Sequence, residues 1–201
     1  MTNQYFGKAK ALIDAANSED PNRVTCDGRD WPKELLYSKR MSEMLERFAP
    51  KADDAMKLAV SAQHIQRWKS PRSDYPMNRK GYYQWRAALC QFHADTLAGL
   101  LNKAGYDDEF ITRTTQAVAK KSLKTNSDSQ LLEDIAGLVF LQYYFLDFVD
   151  KHPEYNEEKW FDIIRRMWQK LSVRARQYAF GNISLPPSLT ALIRKAVSET
   201  N

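Results

Sequence analysis

Apolar residues recur along this chain at three- and four-residue spacing almost throughout, which predicts amphipathic helices rather than strands. The first stripe is Tyr5, Phe6, Ala9, Leu12, Ile13 and Ala16. A loop holding Pro21 and Gly28 follows. Pro32 suits the first turn of a second helix, whose inner face is Tyr37, Met41, Met44, Leu45 and Phe48, and Pro50 ends it. The third helix is expected from about residue 52 to 68. Its stripe is Ala52, Ala55, Met56, Ala59 and Val60, and the next turn of that stripe is Gln63-His64. Pro71 and Pro76 bracket a loop over 69–78. A long fourth helix then carries Trp85, Leu89, Phe92, His93, Thr96, Leu97 and Leu100, with Gly105 as its C-terminal cap.

Asp107 is placed to cap a fifth helix with Phe110, Ile111, Thr114, Ala117, Val118 and Lys121 on one face. A sixth is predicted over 127–150. It is apolar on nearly every side from Ile135 onward, as a central core helix would be. Asn156 opens a seventh with Trp160, Ile163, Ile164, Met167, Trp168 and Leu171. Pro186-Pro187 begins the last, with Leu189, Leu192, Ile193 and Ala196 inside. No strand pattern stands out. The expected fold is therefore all-α, a single compact helical bundle of about eight helices around 127–150.

At 201 residues, without repeat or linker, the chain reads as one domain, 1–201. Its 43% hydrophobic content rules out a disordered chain, and 7 Gly with 8 Pro are few for a many-stranded β fold. The longest apolar stretch, 135–148, contains Gln142 and Asp147 and falls short of the ~20 residues a membrane span needs, so no membrane partner is expected. The start, Met1 to Tyr5, lacks the basic and apolar regions of a signal peptide. Cys26 and Cys90 form no metal-knuckle spacing. A cytoplasmic protein with reduced thiols is the expectation.

The net charge is +5, mildly basic. Its distribution says more. Between 61 and 95 the bases Arg67, Lys69, Arg72, Arg79, Lys80 and Arg86 face only Asp74 and Asp95 as acids. Trp68, Tyr75, Tyr82, Tyr83 and Trp85 interleave with them. Arginines among aromatics can hold a phosphate and stack a base; long basic stems covering core aromatics give the same pattern. Lys121 ends an apolar stripe and either faces the same pocket or snorkels.

His64 and His93 fall on inward faces, whereas His152 beside Pro153 lies in a loop. An inward imidazole needs partners for both ring nitrogens, from a carbonyl, a carboxylate or a metal. Glu133 and Asp134 precede the most apolar helix. Two imidazoles and a carboxylate from three helices, with an open position, would hold one divalent metal (Mn, Fe, Zn, Ni or Mg). Plain capping accounts equally for the acids, and core packing for the histidines. No glycine-rich phosphate loop, dinucleotide fingerprint or Gly-x-Ser-x-Gly elbow is present.

The blocks Gln63-His64-Ile65-Gln66-Arg67-Trp68, Pro71-Arg72-Ser73-Asp74-Tyr75-Pro76, Arg79-Lys80-Gly81-Tyr82-Tyr83-Gln84-Trp85-Arg86, Phe92-His93-Ala94 and Leu132-Glu133-Asp134 resemble an uncharacterised domain-of-unknown-function family of bacteria and fungi. The order of features is more distantly similar to the HD superfamily of helical metal-dependent phosphohydrolases. That resemblance implies an HD-domain-like bundle. In its register Tyr37 stands where the first metal histidine belongs. Gln63-His64 stands for the His-Asp pair and Ala136 for the last aspartate, with Asp134 two residues earlier.

Three functional classes follow. The first is a metal-dependent phosphohydrolase-like enzyme acting on a nucleotide or other small phosphorylated compound. His64, His93 and Asp134, with Glu133 in support, would hold the metal. Arg67, Arg72, Arg79, Arg86 and Lys121 would hold the anionic substrate, and Tyr37 and Gln63 would line the pocket. The second is a non-catalytic module that binds an anionic ligand, a nucleotide or RNA phosphate, through the same arginines. The third is a structural helical protein. Catalytic residues, substrate and oligomeric state are not specified by the sequence.

Overall fold

The computed structural model describes residues 2–123 and 125–198. Its described residues are all-α apart from one short hairpin. The helices are α1 (Thr2–Ser18), α2 (Lys33–Phe48), α3 (Asp54–Ser61), α4 (Arg79–Ala104), α5 (Asp108–Val118), α6 (Ser127–Tyr143), α7 (Phe145–Asp150), α8 (Glu157–Trp168), α9 (Val173–Asn182) and α10 (Pro187–Ser198). Among them no helix is long and apolar enough to cross a membrane.

Several helix ends follow from local chemistry. Asp53, Asn78, Asp107 and Asn156 each accept a hydrogen bond from the first turn of the helix they precede. Gly105 closes α4 in the left-handed region, φ 104°, where its N–H reaches the carbonyls of Leu101 and Asn102.

Four features depart from the periodicity. The 21–32 loop contains strands β1 (Arg23–Cys26) and β2 (Arg29–Pro32), antiparallel with Cys26 opposite Arg29. Asp27 and Gly28, both at positive φ, make the two-residue turn that suits strand twist. The third helix stops at Ser61 rather than near 68. Gln66 then adopts φ 50°, and its N–H is taken by the side chain of Asn17. The predicted sixth helix divides at Tyr144, within an aromatic run of modest helix propensity. Finally, α9 lies where no stripe was evident.

The chain divides into two compact units, 1–132 and 133–201. In the first, α1 packs on α2, α3 and α4, and α5 on α3 and α4. Ile13, Met41, Met44, Leu58, Ile65, Leu89, Leu97 and Leu101 are fully buried there. In the second, α8 packs on α10, and Ile135, Leu138, Phe145 and Ile164 are among the fully buried side chains.

Asp134 explains α9. Its Oδ1 accepts from the Ser172 backbone N–H at 2.7 Å and its Oδ2 from the Ser172 hydroxyl at 2.6 Å. Ser172 in turn caps α9 by accepting from the Ala175 N–H. A buried carboxylate thus clamps the start of α9. Truncation would strand both Ser172 donors, so Asp134→Ala is expected to lower unfolding stability by about 2–3 kcal/mol. Thermal or urea denaturation measures this, and an unchanged midpoint would contradict the clamp.

Candidate anion-binding cleft in the first unit

A cleft of about 280 Å³ opens between the start of α2, a 3-10 turn at Arg67–Lys69, a second at Arg72–Asp74, and the first turns of α4. Asn22, Lys33, Glu34, Arg67, Trp68, Arg72 and Trp85 are in its wall.

The start of α2 is positioned from outside the helix. Pro32 offers no capping side chain. Buried Asp20 takes over: Oδ2 accepts from the Glu34 N–H at 2.9 Å, and Oδ1 from the backbone and side chain of Asn22. This turn places the Glu34 carboxyl in the cleft wall with only 6% of the residue exposed. Glu34 heads the inward stripe Glu34, Tyr37, Met41, Met44 and Phe48.

Arg67 stands opposite. Its guanidinium lies 5.4 Å from the centre of the Trp85 ring, and Nη1 is 2.9 Å from Nε2 of His64. A guanidinium only donates, so a ring nitrogen of His64 is the acceptor; the same Nη1 lies 3.3 Å from Nδ1. Nδ1 is 3.4 Å from Glu34 Oε2. Tyr37 stacks on the imidazole, 4.1 Å between ring centres at 13°. Burial, then the charges of Arg67, Lys120, Arg86 and Lys33, hold His64 well below the ordinary histidine range. The ring is neutral at physiological pH.

His93, from α4, lies 6.0 Å from His64 between ring centres. Its Nδ1 donates to the Ile65 carbonyl at 2.8 Å. That leaves Nε2 as a bare acceptor, buried without a hydrogen-bond partner. Burial and the neighbouring His64 bring its pKa down to about 3. Burial also pushes Glu34 up to about 7, against the pull of Arg67 and Lys33.

The loop over 70–78 is held at several points. Arg72 donates to the carbonyls of Tyr75, Pro76 and Asn78, and Trp85 Nε1 donates to Ser70 O. Gly81 is needed because a Cβ there would lie 2.1 Å from Pro76 O.

The structure therefore gathers Tyr37, Gln63, His64, Arg67, Arg72, Arg86 and His93 in one unit, with Gln63 buried and its Oε1 unpaired. Arg79 is instead exposed over Tyr83. Lys121 is exposed, and Lys120, half-buried beside it, is the lysine whose charge acts on His64. Asp134 and Glu133 belong to the second unit. The carboxylate of Asp134 is engaged by Ser172, and that of Glu133 lies 3.9 Å from Lys170. Among the described residues, no three His, Cys, Asp or Glu side chains group to hold a metal ion. The Arg67 guanidinium is within hydrogen-bond distance of the His64 ring nitrogens. The periodicity passed over Glu34, Lys33 and Asn22. Glu34 was visible as the single acid heading the α2 stripe, but an acid in a first helical turn also reads as a dipole partner.

Stability should record these shifts. The Glu34 carboxyl rises from 4.5 to about 7 on folding, so the stability it lends below its unfolded pKa is lost as pH rises through 7. That loss is about 3 kcal/mol. The histidines act oppositely: the unfolded chain takes up protons below about 6.5 that the folded rings refuse. Glu34→Gln is expected to abolish the alkaline-side loss and keep the acid-side one. Urea titrations across about pH 4 to 9 test this; parallel profiles for variant and wild type would contradict it.

No curated protein and no solved structure matches this chain. Residues 7–193 match the DUF4202 family, described as a domain of unknown function, and the chain belongs to that family.

Proposed function

We propose that the first unit binds a small phosphorylated compound in the cleft between α2 and α4. The observation that carries this is the convergence of Lys33, Arg67 and Arg72 on one cleft in which Glu34 is the acidic side chain of the wall. Three cations together require a counter-anion, and guanidinium forks favour phosphate oxygens. Glu34 does not neutralise them fully, because its burial keeps the carboxyl close to half-protonated at neutral pH. Trp68 and Trp85 supply flat apolar wall beside the charges, which suits a ligand that joins a phosphate to a planar or apolar body.

On this reading the likeness to the HD superfamily extends to a helical pocket for a phosphorylated ligand and not to the metal ligands. Binding rests on side-chain cations alone, and chelator treatment leaves it unchanged. The metal-dependent phosphohydrolase reading requires the opposite: near-stoichiometric bound metal that is lost in His64→Ala.

Calorimetric titration with pyrophosphate is the direct test. Lys33→Ala, at an exposed position, should weaken binding several-fold. Arg67→Lys, which keeps the charge but loses the fork, should weaken it by about tenfold, as expected for losing a charge-assisted hydrogen bond. Affinity should fall with salt. Wild-type affinity in both variants, or no binding at low salt, would contradict the proposal.

A further inference from the structure

Outside the cleft, three of the exposed large apolar side chains fall close together in the chain. Met77, Tyr82 and Tyr83 are 80%, 46% and 56% exposed, within seven residues at the start of α4. Single exposed apolar residues need no explanation, but contiguous ones mark binding surfaces. These rings touch one another: Tyr82 lies 5.8 Å from Tyr83 and 6.0 Å from Trp85, centre to centre. Trp85 is itself in the cleft wall, so the aromatic strip runs from the cleft onto the surface.

Positive charge accompanies it. Arg79, Tyr82, Tyr83 and Arg86 fall at i, i+3, i+4 and i+7, one face of α4. The Arg79 guanidinium sits 5.8 Å from the Tyr83 ring, and Lys80 is exposed. Arg72, whose bonds to three loop carbonyls carry no compensating charge, adds a further cation. Asp74 is the acid of this segment. Exposed rings set among cations, on a surface held by Asn78, Gly81 and Arg72, match a strand of phosphates carrying unpaired bases. A protein interface would share the Tyr, Met and Arg content, but Arg72, Arg79, Lys80 and Arg86 against the single acid Asp74 over 72–86 suit a polyanion.

We propose that this ridge docks single-stranded nucleic acid, with bases stacking on Tyr82 and Tyr83 and the backbone following Arg79, Lys80 and Arg72. The docking does not depend on what the cleft itself binds.

The test is fluorescence anisotropy with a labelled oligouridylate of about twelve nucleotides, within the range one such platform spans. Three comparisons are needed: an abasic strand of the same length, a duplex, and the variant Tyr82→Ala/Tyr83→Ala. Both tyrosines are exposed, so the variant is expected to fold, which its circular dichroism and melting curve verify. The base-bearing single strand should bind in a salt-dependent manner. The abasic strand, the duplex and the variant should each bind about tenfold more weakly or worse, because each removes the stacking of free bases on the two rings. Equal affinity for the three nucleic acids would reduce the effect to polyanion attraction and overturn the proposal. Unchanged affinity in the variant would also overturn it and leave the ridge to a protein partner. Pyrophosphate binding without oligonucleotide binding would sink this inference alone. Oligonucleotide binding without pyrophosphate binding would sink the cleft proposal alone.

Discussion

The placement of the Arg67 guanidinium between the Trp85 ring and Nε2 of His64 is the interaction on which the site depends. It decides three things together. It sets the guanidinium against the ring nitrogens of His64, whose Nδ1 lies 3.4 Å from Glu34. It helps to keep the imidazole uncharged, because a protonated ring beside a guanidinium is repelled. It also ties the 3-10 turn at Arg67–Lys69 to the first turns of α4, which bounds the cleft on one side. The positive φ of Gln66 lets the chain leave α3 and present Arg67 in this way.

The two units use inward carboxylates differently. Asp134 is spent on structure, with both oxygens engaged by Ser172 at the start of α9. Glu34 is buried nearly as deeply, yet faces His64 and a cleft lined by cations. In the same unit, Gln63 Oε1 and His93 Nε2 are buried acceptors without a hydrogen-bond partner. Buried polar groups that are fully paired hold a fold together. Those left unpaired cost stability, and such costs gather where a protein keeps groups available for a ligand or a water. Among the described residues, these unpaired buried acceptors lie in the first unit.

What was legible in the sequence follows from how local each cause is. The amphipathic stripes of α1, α2, α4, α5, α8 and α10, with caps such as Asp107, Asn156 and Gly105, are short-range signals and were readable. The end of α3 was not, because Gln66 is held by Asn17, 49 residues away. The start of α9 depends on Asp134, 38 residues earlier. The hairpin had a signal, Asp27-Gly28, which the helical pattern around it overshadowed. At the site, Gln63, His64 and His93 were legible as polar side chains on inward stripes, Tyr37 as part of the α2 stripe, and Arg67 as part of the basic segment over 61–95. Glu34 was concealed by its place in a first helical turn. Asp134 drew a metal reading because an inward acid is equally compatible with a ligand and a clamp until its partners are seen.

The central claim is that the cations of the first unit converge on one anion. A crystal soaked in tungstate, a heavy phosphate mimic, tests it most directly through anomalous scattering. The account predicts a peak in the cleft within hydrogen-bonding reach of Arg67 and Lys33, and its disappearance in Lys33→Ala. A well-diffracting soaked crystal with no peak there, or with tungstate bound only at other surface arginines, would contradict it.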